Sequence, residues 1–444
     1  MESRARDMHV VVGLGKTGLS CARWLQRNNL PFVVMDTRAE PPNASELLKE
    51  MPSVETRFGS LDAEMLCSAH AIVLSPGVDP RMPALVQARM QGVRFTGDID
   101  IFARESKAEL VAITGSNAKS TVTTLVGEMA REAGRKTVVG GNIGTPVLDL
   151  LNGESFDFCV LELSSFQLET TTGLGANVAT ILNICEDHMD RYDSMDDYAA
   201  AKQRIYQNCG HAVINRDDPG SVPVASTSRS TRFGLGLDQA EYGLVNHEGE
   251  LCLAKDRQPL LAVAQMKLAG MHNVANALAA LALGEAAGLA FEPMLSVLRS
   301  FKGLEHRCQW VRDIDGTSWY NDSKGTNVGA SVAAISGLGA KGSVILLAGG
   351  VGKGADFAAL GPVMKQHGKL AILFGEDAER IALVLRPVVD ILRAASLEEA
   401  VSKAASNASP GDVVLLSPAC ASFDMFRNYE HRGEVFMQAV GELH

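Results

Sequence analysis

The sequence predicts an α/β protein with three domains. Short apolar runs typical of buried strands alternate with amphipathic segments along most of the 444 residues, and glycine-rich loops follow several of these runs. The composition, with 46% hydrophobic and 21% charged residues, is that of a folded globular protein. At roughly 100 to 200 residues per domain, the length suits two to four domains. We expect boundaries near residues 97 and 303, giving domains 1–97, 98–303 and 304–444.

The first domain begins with three apolar runs separated by amphipathic segments, at 9–12, 31–35 and 71–74. This alternation predicts a Rossmann-like domain, in which crossover helices connect parallel strands. The loop from Gly13 to Gly18 follows the first strand and opens a helix, and Asp36 ends the second strand. Glycines let a diphosphate approach backbone N–H groups, and an acidic residue about 20 positions later can hold a ribose hydroxyl. The loop predicts a site for NAD or for another nucleotide such as a UDP-sugar; the alternative is a tight turn without a ligand.

The second domain starts with a further alternation, whose apolar runs lie at 110–113, 158–162 and 178–182. This pattern predicts a second doubly wound sheet. Residues 230–265 show shorter alternating segments with glycines between them, which predicts a small antiparallel sheet attached to this domain. Helices resume from about His272.

The segment 114–121, TGSNAKST, has the layout of a phosphate-binding loop between a buried strand and a helix. Lys119 is expected to reach the terminal phosphates of a nucleotide, and the Ser120 hydroxyl to bind Mg²⁺. Ala118 stands where the usual pattern has glycine, and an alanine suits that position if no positive φ is required. The alternative is a helix start capped by a Ser or Thr side chain.

Polar residues at the ends of other predicted strands extend this candidate site. Glu162 ends an apolar strand, at the edge where open α/β sheets bind ligands, and can bind a metal ion there or be merely solvated. His188 lies in a loop rich in titratable groups and can serve as a metal ligand or proton carrier. Asn273 and Asn276 lie three residues apart on one helix face and can bind an adenine or cap the helix.

The C-terminal domain shows the same alternation, with apolar runs at 344–347, 370–373 and 413–416, and is therefore also predicted to be Rossmann-like. Two loops carry lysines at predicted strand ends, namely Lys324 in 321–327 and Lys353 in 349–354. Single lysines at such positions are usually solvated, but two glycine- or serine-rich loops with lysines at strand ends of one domain favour a functional role.

Charge and composition exclude several classes of partner. Lys plus Arg total 41 and Asp plus Glu total 52, so the net charge is −11, opposite in sign to that of most nucleic-acid-binding proteins. The N-terminal residues fit neither a secretory signal nor a membrane span. Eight cysteines include no C-x-x-C pair, which argues against a zinc cluster. We expect a cytoplasmic monomer that binds small molecules and neither nucleic acid nor membrane.

Seven separated segments together resemble one family, the Mur ligases of bacterial cell-wall synthesis: TGSNAKST, ELSSFQLE, EDHMDRY, MHNVANA, NDSKGTN, GGVGKGADF and SPACASFDMF. The resemblance covers essentially the whole chain. It implies ATP-dependent amide formation, in which D-glutamate is added to the carboxylate of UDP-N-acetylmuramoyl-L-alanine through an acyl phosphate, with ATP and Mg²⁺ as cofactors.

The resemblance also implies roles for individual residues. The catalytic set would be Lys119, Glu162, His188 and Lys202. ATP would be bound by Gly115, Ser116, Asn117, Ala118, Lys119, Ser120, Thr121, Asn273, Asn276, Arg307 and Asp322. Mg²⁺ would be bound by Ser120, Glu162, His188 and a carbamylated Lys202. The UDP-substrate would be bound by Gly15, Lys16, Thr17, Asp36, Thr37, Arg38, Ser75, Gly77 and Asn142. D-glutamate would be bound by Lys324, Thr326, Lys353, Ser422 and Tyr429.

The sequence departs from the family pattern at a few of these loops. Gly325 stands where the family commonly has Ala, Val351 where an Asp is usual, and Tyr429 where Phe is frequent. Other functions remain open at this point: another Mur-type ligase, a folylpolyglutamate ligase, or a nucleotide-binding switch without catalysis. An NAD-dependent dehydrogenase would use Gly13 to Gly18 and Asp36, but would leave Lys119, Glu162 and His188 without a role.

Overall fold

The computed structural model describes residues 8–224, 227–268, 270–338 and 343–443. Residues 1–7, in which the sequence predicts no targeting signal, lie outside the described residues. The chain packs into two compact units. One comprises Met1–Leu182, Asp196–Phe233 and Ala279–Met294, and the other comprises Asn183–Met195, Gly234–Leu278 and Leu295–His444. Among the described residues, no helix is both long and apolar enough to cross a bilayer.

Five parallel strands form the N-terminal sheet, in the order β3-β2-β1-β4-β5. Their bounds are β1 His9–Val12, β2 Phe32–Asp36, β3 Glu55–Phe58, β4 Ala71–Leu74 and β5 Arg94–Thr96. The helices between them are α1 Lys16–Arg27, α2 Ala44–Glu50, α3 Ala63–Ser68 and α4 Pro83–Met90. The strand order reverses between β1 and β4, so the loops after these two strands border the crevice where such sheets bind ligands. The predicted Rossmann-like fold is confirmed.

The central sheet contains six strands that pair in parallel, in the order β7-β8-β6-β9-β10-β11. Their bounds are β6 Glu109–Thr114, β7 Thr137–Gly141, β8 Phe158–Glu162, β9 Val178–Ile181, β10 His211–Asn215 and β11 Ser230–Leu237. The associated helices are α5 Asp98–Glu105, α6 Lys119–Glu132, α7 Val147–Leu150, α8 Ser165–Glu169 and α9 Met195–Gln203. Ile113 of β6 pairs with Glu162 of β8 and with Thr180 of β9, so these strands end at one edge of the sheet.

The predicted antiparallel strands are present as a continuation of the central sheet beyond β11. Three strands, β12 Tyr242–His247, β13 Glu250–Lys255 and β14 Gln258–Ala262, form two antiparallel hairpins. Strand β11, which was also expected there, joins the two parts: it pairs in parallel with β10 and is the neighbour of β12 in one continuous sheet. The connection between β10 and β11 is long enough for a crossover, which a parallel pairing requires. Two helices follow, α10 Met271–Ala286 and α11 Phe291–Ser300, as predicted.

The C-terminal sheet has the order β15-β16-β20-β17-β18-β19. Its strands are β15 Gln309–Ile314, β16 Thr317–Asn321, β17 Val344–Gly349, β18 Gly368–Phe374, β19 Asp390–Arg393 and β20 Val413–Leu416, and only β15 pairs antiparallel. The helices are α12 Val328–Leu338, α13 Leu360–His367, α14 Ala378–Leu385, α15 Leu397–Asn407 and α16 Tyr429–Gly441. Alternate residues of β17 enter two separate cores, because successive side chains of a strand point to opposite faces. The sheet is thus covered on both sides, which explains its continuous apolar runs.

One buried carboxyl lies at the start of the central domain. Asp98 is the first residue of α5 and is 2% exposed. Burial raises the pKa of Asp98 to about 6, although hydrogen bonds from the Ile99 N–H and the Gln167 side chain oppose the shift. A pKa raised by folding means that the folded chain binds the proton more tightly than the unfolded chain. The stability that this carboxyl contributes is therefore complete below about pH 4 and is lost as the pH rises through about 6.

We predict that Asp98→Asn removes this pH dependence. Relative to the wild type, the free energy of unfolding of the variant should rise by about 2–3 kcal/mol between pH 4 and pH 7, because the neutral amide has no charge to desolvate. Urea unfolding at a series of pH values measures this difference. Asp390→Asn, at an exposed strand end, controls for loss of a surface carboxylate. Parallel pH profiles for the wild type and Asp98→Asn would contradict the prediction.

Candidate active site

The first glycine loop is held by side chains from two neighbouring strand ends. Gly13 has φ 93°, and a Cβ there would lie 2.6 Å from Val78 Cγ2, so only glycine fits the turn. The Leu14 N–H donates to Asp36 Oδ2 at 2.7 Å, and the Ser75 hydroxyl donates to the Gly13 carbonyl at 2.6 Å. The loop, the end of β2 and the end of β4 are thereby brought together, as the sequence predicts.

Asp36 has a different environment from the ribose acceptor of a dinucleotide site. Its Oδ1 accepts from the Arg38 N–H and Nε, and its Oδ2 accepts from the Leu14 N–H and from Arg38 Nη2. Burial alone would raise the pKa of Asp36, but the hydrogen bonds from Arg38 and Leu14 outweigh it and lower the pKa. A carboxylate has about four acceptor positions, and here all are used within the protein. This arrangement argues against the dehydrogenase interpretation.

Most of the other residues assigned to the UDP-substrate lie in this loop or directly after β2 and β4. Gly15 caps α1, and Lys16 and Thr17 begin it, with Lys16 exposed. Thr37 is exposed directly after β2, and a Cβ at Gly77, after β4, would meet no atom within 4 Å. The backbone is therefore open to a ligand at Gly77. Asn142 lies apart from this loop, at the end of β7.

The phosphate-binding loop runs from the end of β6 into α6. Lys119 is the first residue of the helix, and its Nζ donates to the carbonyls of Gly115 and Ser116, both at 2.9 Å. The ammonium group thus folds back over the loop, beside the N-terminus of a helix, where anions are stabilised. Ser120 and Thr121 are buried, and Ser116 Oγ lies 3.0 Å from the Tyr198 hydroxyl.

The condition under which alanine would suit position 118 is not fulfilled. Ala118 adopts the left-handed conformation, with φ 65° and ψ −6°, and no side chain caps the helix there. The left-handed region costs a residue with a Cβ about 1–2 kcal/mol. A glycine, as in the usual pattern, avoids this cost. In this chain Ala118 adopts the left-handed conformation despite it.

Glu162 lies at the end of β8, beside the phosphate-binding loop, and is 1% exposed. Its Oε2 accepts from the Ser120 hydroxyl at 2.5 Å, and its Oε1 accepts from Asn142 Nδ2 at 2.7 Å. The pairing of β6 with β8 produces this contact, since Glu162 pairs with Ile113 just before the loop. The structure thus brings Ser120 and Glu162, which the resemblance assigns to Mg²⁺, into contact with each other, and Asn142 contacts the same carboxylate.

Lys202 is buried, although its local sequence is that of a surface helix. It is 1% exposed near the end of α9. Its Nζ donates to the Gly115 carbonyl at 2.9 Å, lies 3.4 Å from Thr114 Oγ1, and lies 4.7 Å from the centre of the Tyr198 ring. Lys202 therefore contacts the phosphate-binding loop from within the protein.

The loop that carries His188 belongs to the other compact unit. His188 has φ 59°, and its Nε2 lies 3.7 Å from Asp187 Oδ2. The Asp187 carboxylate also accepts from Lys353 Nζ at 3.1 Å and from Asn327 Nδ2 at 3.2 Å. Val351, where the family usually has an Asp, forms a backbone bridge to Ala421. Lys353 thus faces a carboxylate from another segment, that of Asp187.

The remaining nucleotide-site candidates of this unit are partly or fully buried. Asn276 Nδ2 donates to Asn273 Oδ1 at 3.1 Å within α10, and both residues are buried. Burial raises the pKa of Asp322 to about 6, although hydrogen bonds from Ser417 and Cys308 and the charge of Arg307 oppose the shift. Arg307 is partly buried.

Of the candidates for the amino-acid site, the structure brings Lys324 and Tyr429 into contact near the start of α16, while Lys353 contacts Asp187. Lys324 Nζ lies 3.6 Å from the centre of the Tyr429 ring, an arrangement that stabilises a cation. The Thr326 N–H donates to the Lys324 carbonyl at 2.7 Å, which tightens the turn. Ser422 is 2% exposed and lies in the loop between β20 and α16.

Four residues that form hydrogen bonds within these candidate sites were not identified from the sequence: Asp187, Asn327, Ser417 and Arg432. Arg432 Nη2 donates to the Ser323 carbonyl at 2.7 Å and Nη1 to the Cys420 carbonyl at 3.1 Å. The Ser323 hydroxyl in turn donates to the Tyr429 carbonyl at 2.8 Å. A signal for Arg432 was present, because it shares the apolar face of α16 with Phe436 and Val440, four and eight residues further on.

In the described part of the chain, no three His, Cys, Asp or Glu side chains are grouped as a metal site. The oxygen donors at the start of α6 nevertheless suit Mg²⁺. This ion usually takes one or two protein ligands and completes its shell with waters and substrate phosphates. Ser120 and Glu162 supply such a pair, next to a loop that favours phosphates.

Family models match the chain in three stretches. These are a MurD-like N-terminal domain over residues 7–97, a Mur ligase middle domain over 113–284 and a Mur ligase glutamate ligase domain over 306–420. UDP-N-acetylmuramoylalanine--D-glutamate ligases are similar over nearly the full length. That of Pseudomonas aeruginosa is 55% identical over 98% of both chains, and that of Nitrosococcus oceani 50% identical over 98% of this chain and 96% of the other.

Solved structures of more distant proteins share the fold. UDP-N-acetylmuramate-alanine ligase MurC from Thermotoga maritima matches with a TM-score of 0.59 at 19% identity, covering 98% of this chain and 99% of that one. MurF from Acinetobacter baumannii matches with a TM-score of 0.61 at 15% identity, covering 99% and 92%. The three matched domains and the close full-length relatives show that this chain belongs to the Mur ligase family.

Proposed function

We propose that this Mur ligase uses ATP to join D-glutamate to the carboxylate of UDP-N-acetylmuramoyl-L-alanine, a step of bacterial peptidoglycan synthesis. The geometric observation that carries the proposal is the contact of Ser120 with Glu162 beside Lys119, which supports a site for a nucleoside triphosphate and its metal ion. The relatives at 50% to 55% identity, which are D-glutamate ligases by name, supply the substrates.

The ATP site is proposed to include the loop 115–121 together with Asn273, Asn276, Arg307 and Asp322. Lys119 would bind the β- and γ-phosphates, since its ammonium lies over the loop at the N-terminus of α6. Ser120 and Glu162 would hold Mg²⁺, with His188 and a carbamylated Lys202 as further ligands. When bound, the metal ion neutralises charge on the phosphates.

The proposed reaction has two steps, and the first activates the carboxylate of the UDP-substrate, which is a poor electrophile. The carboxylate of the UDP-substrate attacks the γ-phosphorus of ATP, the bond to the bridging oxygen of ADP breaks, and an acyl phosphate forms. The uncharged amine of D-glutamate then attacks the acyl carbon, and inorganic phosphate leaves as the amide forms. Lys119 would stabilise the charge that develops on the transferred phosphoryl group.

D-glutamate carries two carboxylates, and two lysines lie in the proposed site. Lys324 is held over the Tyr429 ring, and Lys353 already faces a carboxylate, that of Asp187 at 3.1 Å. These environments support the assignment of both ammonium groups to carboxylates of the amino acid. Thr326, Ser422 and Tyr429 complete the proposed set.

The UDP moiety is assigned to the first glycine loop, with Gly15, Lys16, Thr17, Thr37, Arg38, Ser75 and Gly77 around it. Asp36 would act by holding Arg38 and the loop, because its oxygens already accept hydrogen bonds from both. Asn142 would act beside Glu162. We retain the domain boundaries at 97 and 303, and we propose a cytoplasmic monomer that engages neither membrane nor nucleic acid.

The proposal is tested by phosphate release from ATP and Mg²⁺ in the presence of UDP-N-acetylmuramoyl-L-alanine. Release should require D-glutamate and should be near background with L-glutamate or with no amino acid. Mass spectrometry of the product should show the added glutamyl residue. Release that is indifferent to the amino acid, or that requires another one, would overturn the substrate assignment while leaving the ATP site standing.

A further inference from the structure

Asp322 and Ser417 are brought together by the pairing of two strands that are far apart in sequence. Strand β16 ends at Asn321, which pairs in parallel with Leu416 at the end of β20. Asp322 directly follows β16, and Ser417 directly follows β20. The Asp322 N–H donates to the Leu416 carbonyl at 2.8 Å. Two adjacent strand ends of a parallel sheet therefore present a carboxylate and a hydroxyl side by side.

The Ser417 side chain is fully buried and lies between two partners. Its hydroxyl lies 2.7 Å from Asp322 Oδ2 and 2.9 Å from Ser331 Oγ, while the Ser331 hydroxyl donates to the Ser417 carbonyl at 3.0 Å. A serine hydroxyl has a single proton. A carboxylate is the stronger acceptor, so that proton is directed to Asp322 while Asp322 is ionised.

Gly325 leaves room for the contact between Asp322 and Ser417. A Cβ at Gly325 would lie 2.5 Å from Asp322 Oδ2 and 2.7 Å from Ser417 Oγ. Glycine at this position lets the carboxylate turn toward the serine. The other oxygen, Oδ1, accepts from the Cys308 N–H at 3.1 Å. The carboxylate is thus fixed at both oxygens.

We infer that Ser417 is a positioning residue for the nucleotide site: its hydroxyl orients the Asp322 carboxylate toward the ribose hydroxyls of ATP. The inference rests on the proposed function, which assigns Asp322 to ATP. A carboxylate at the edge of a parallel sheet is suited to accept hydrogen bonds from ribose hydroxyls, provided that it is ionised and oriented. Ser417 supplies one of the donors that favour this state.

The charge state of Asp322 gives the inference a distinctive readout. The titratable groups that face it are Arg307, the Cys308 thiol and Arg432. Burial raises its pKa, and the hydrogen bond from Ser417 is the largest of the opposing influences. Removal of that donor should raise the pKa further, by about one pH unit, since a hydrogen bond to a charged group is of that size.

The test measures binding of the non-hydrolysable analogue β,γ-imido-ATP with Mg²⁺ by calorimetry, from pH 5 to pH 8.5. For Ser417→Ala we expect an affinity about twofold lower than in the wild type at pH 7 and about tenfold lower at pH 5, because the acidic fall in affinity begins about one pH unit higher. Ser417→Cys, which keeps the volume and a weak donor, should lie between the two. Ser331→Ala, which leaves the Asp322 contact in place, should change the affinity by less than about twofold.

The outcomes separate this inference from the proposed function. If the wild type binds no nucleotide, the proposed function fails. If the wild type binds and Ser417→Ala binds equally well with the same pH profile, the positioning role of Ser417 is overturned. Should the alanine variant fail to fold, as judged by its thermal midpoint, the Ser417→Cys profile decides, because an unchanged profile there also contradicts the inference.

Discussion

Replacement of Lys119 by Met is expected to reduce kcat by about 10³-fold, because the variant lacks the cation that we assign to the transferred phosphoryl group. The ammonium lies over the phosphate-binding loop and donates to two of its carbonyls. These carbonyl contacts are local and Lys119 is only partly buried, so the fold should tolerate the change. D-glutamate-dependent phosphate release at saturating substrates measures the effect.

Lys16→Met provides a matched control for Lys119→Met. Lys16 is the first residue of α1, at the other glycine loop, and its side chain is exposed. This variant should raise KM for the UDP-substrate and leave KM for ATP within about twofold, since the two loops are assigned to different ligands. A Lys119→Met enzyme that retains more than about a tenth of the wild-type kcat would contradict the assignment of Lys119 to the γ-phosphate.

Replacement of Arg432 by Met is expected to lower the free energy of unfolding by about 2–4 kcal/mol. Arg432 is fully buried and donates to the carbonyls of Ser323 and Cys420 and to the Ser323 hydroxyl. Burial lowers the pKa of Arg432 to about 10, so the side chain is still protonated at pH 7. Met preserves much of the volume but leaves buried acceptors without donors, at about 1–3 kcal/mol each. Relief of the buried charge offsets part of this loss.

Urea unfolding followed by tryptophan fluorescence measures the effect of Arg432→Met. Trp319 is a suitable reporter, because it is buried in the C-terminal sheet and its ring centre lies 6.3 Å from that of Phe436 on α16. Arg386→Met is the control, since Arg386 is exposed and pairs only at the surface with Glu379. Its effect should be below about 1 kcal/mol. Equal unfolding midpoints for Arg432→Met and the wild type would contradict the prediction.

The fold class could be predicted because its signal is local. Strands of a parallel sheet are buried on both faces, so each appears in the sequence as a continuous apolar run, and the residues after it form the ligand-binding edge. The runs at 110–113 and 158–162 correctly identified β6 and β8, whose pairing brings Ser120 and Glu162 into contact. The parallel pairing of β11 with β10 was not predicted, because alternation within a strand does not determine its partner.

Strand order is the information that a single sequence lacks. Ser417 lies beside Asp322 only because β20 is inserted next to β16, across 95 residues of chain. Lys202 has the local sequence of a surface helix, yet its Nζ is held inside by carbonyl and hydroxyl oxygens of the phosphate-binding loop. In both cases the polar partner comes from a distant segment, and burial of a charged or polar group is affordable only where such a partner is present.

The sequence by itself determined the three α/β domains, the two glycine-containing loops and the family. All of these depend on residues close together in the chain, whose periodicity and spacing are visible without the fold. The tertiary structure decided which carboxylate faces which donor: Asp36 with Arg38, Glu162 with Ser120 and Asn142, Asp187 with Lys353, and Asp322 with Ser417. Hydrogen bonds and ion pairs act over a few ångströms, and only the packing of strands and helices brings most of these partners within that distance.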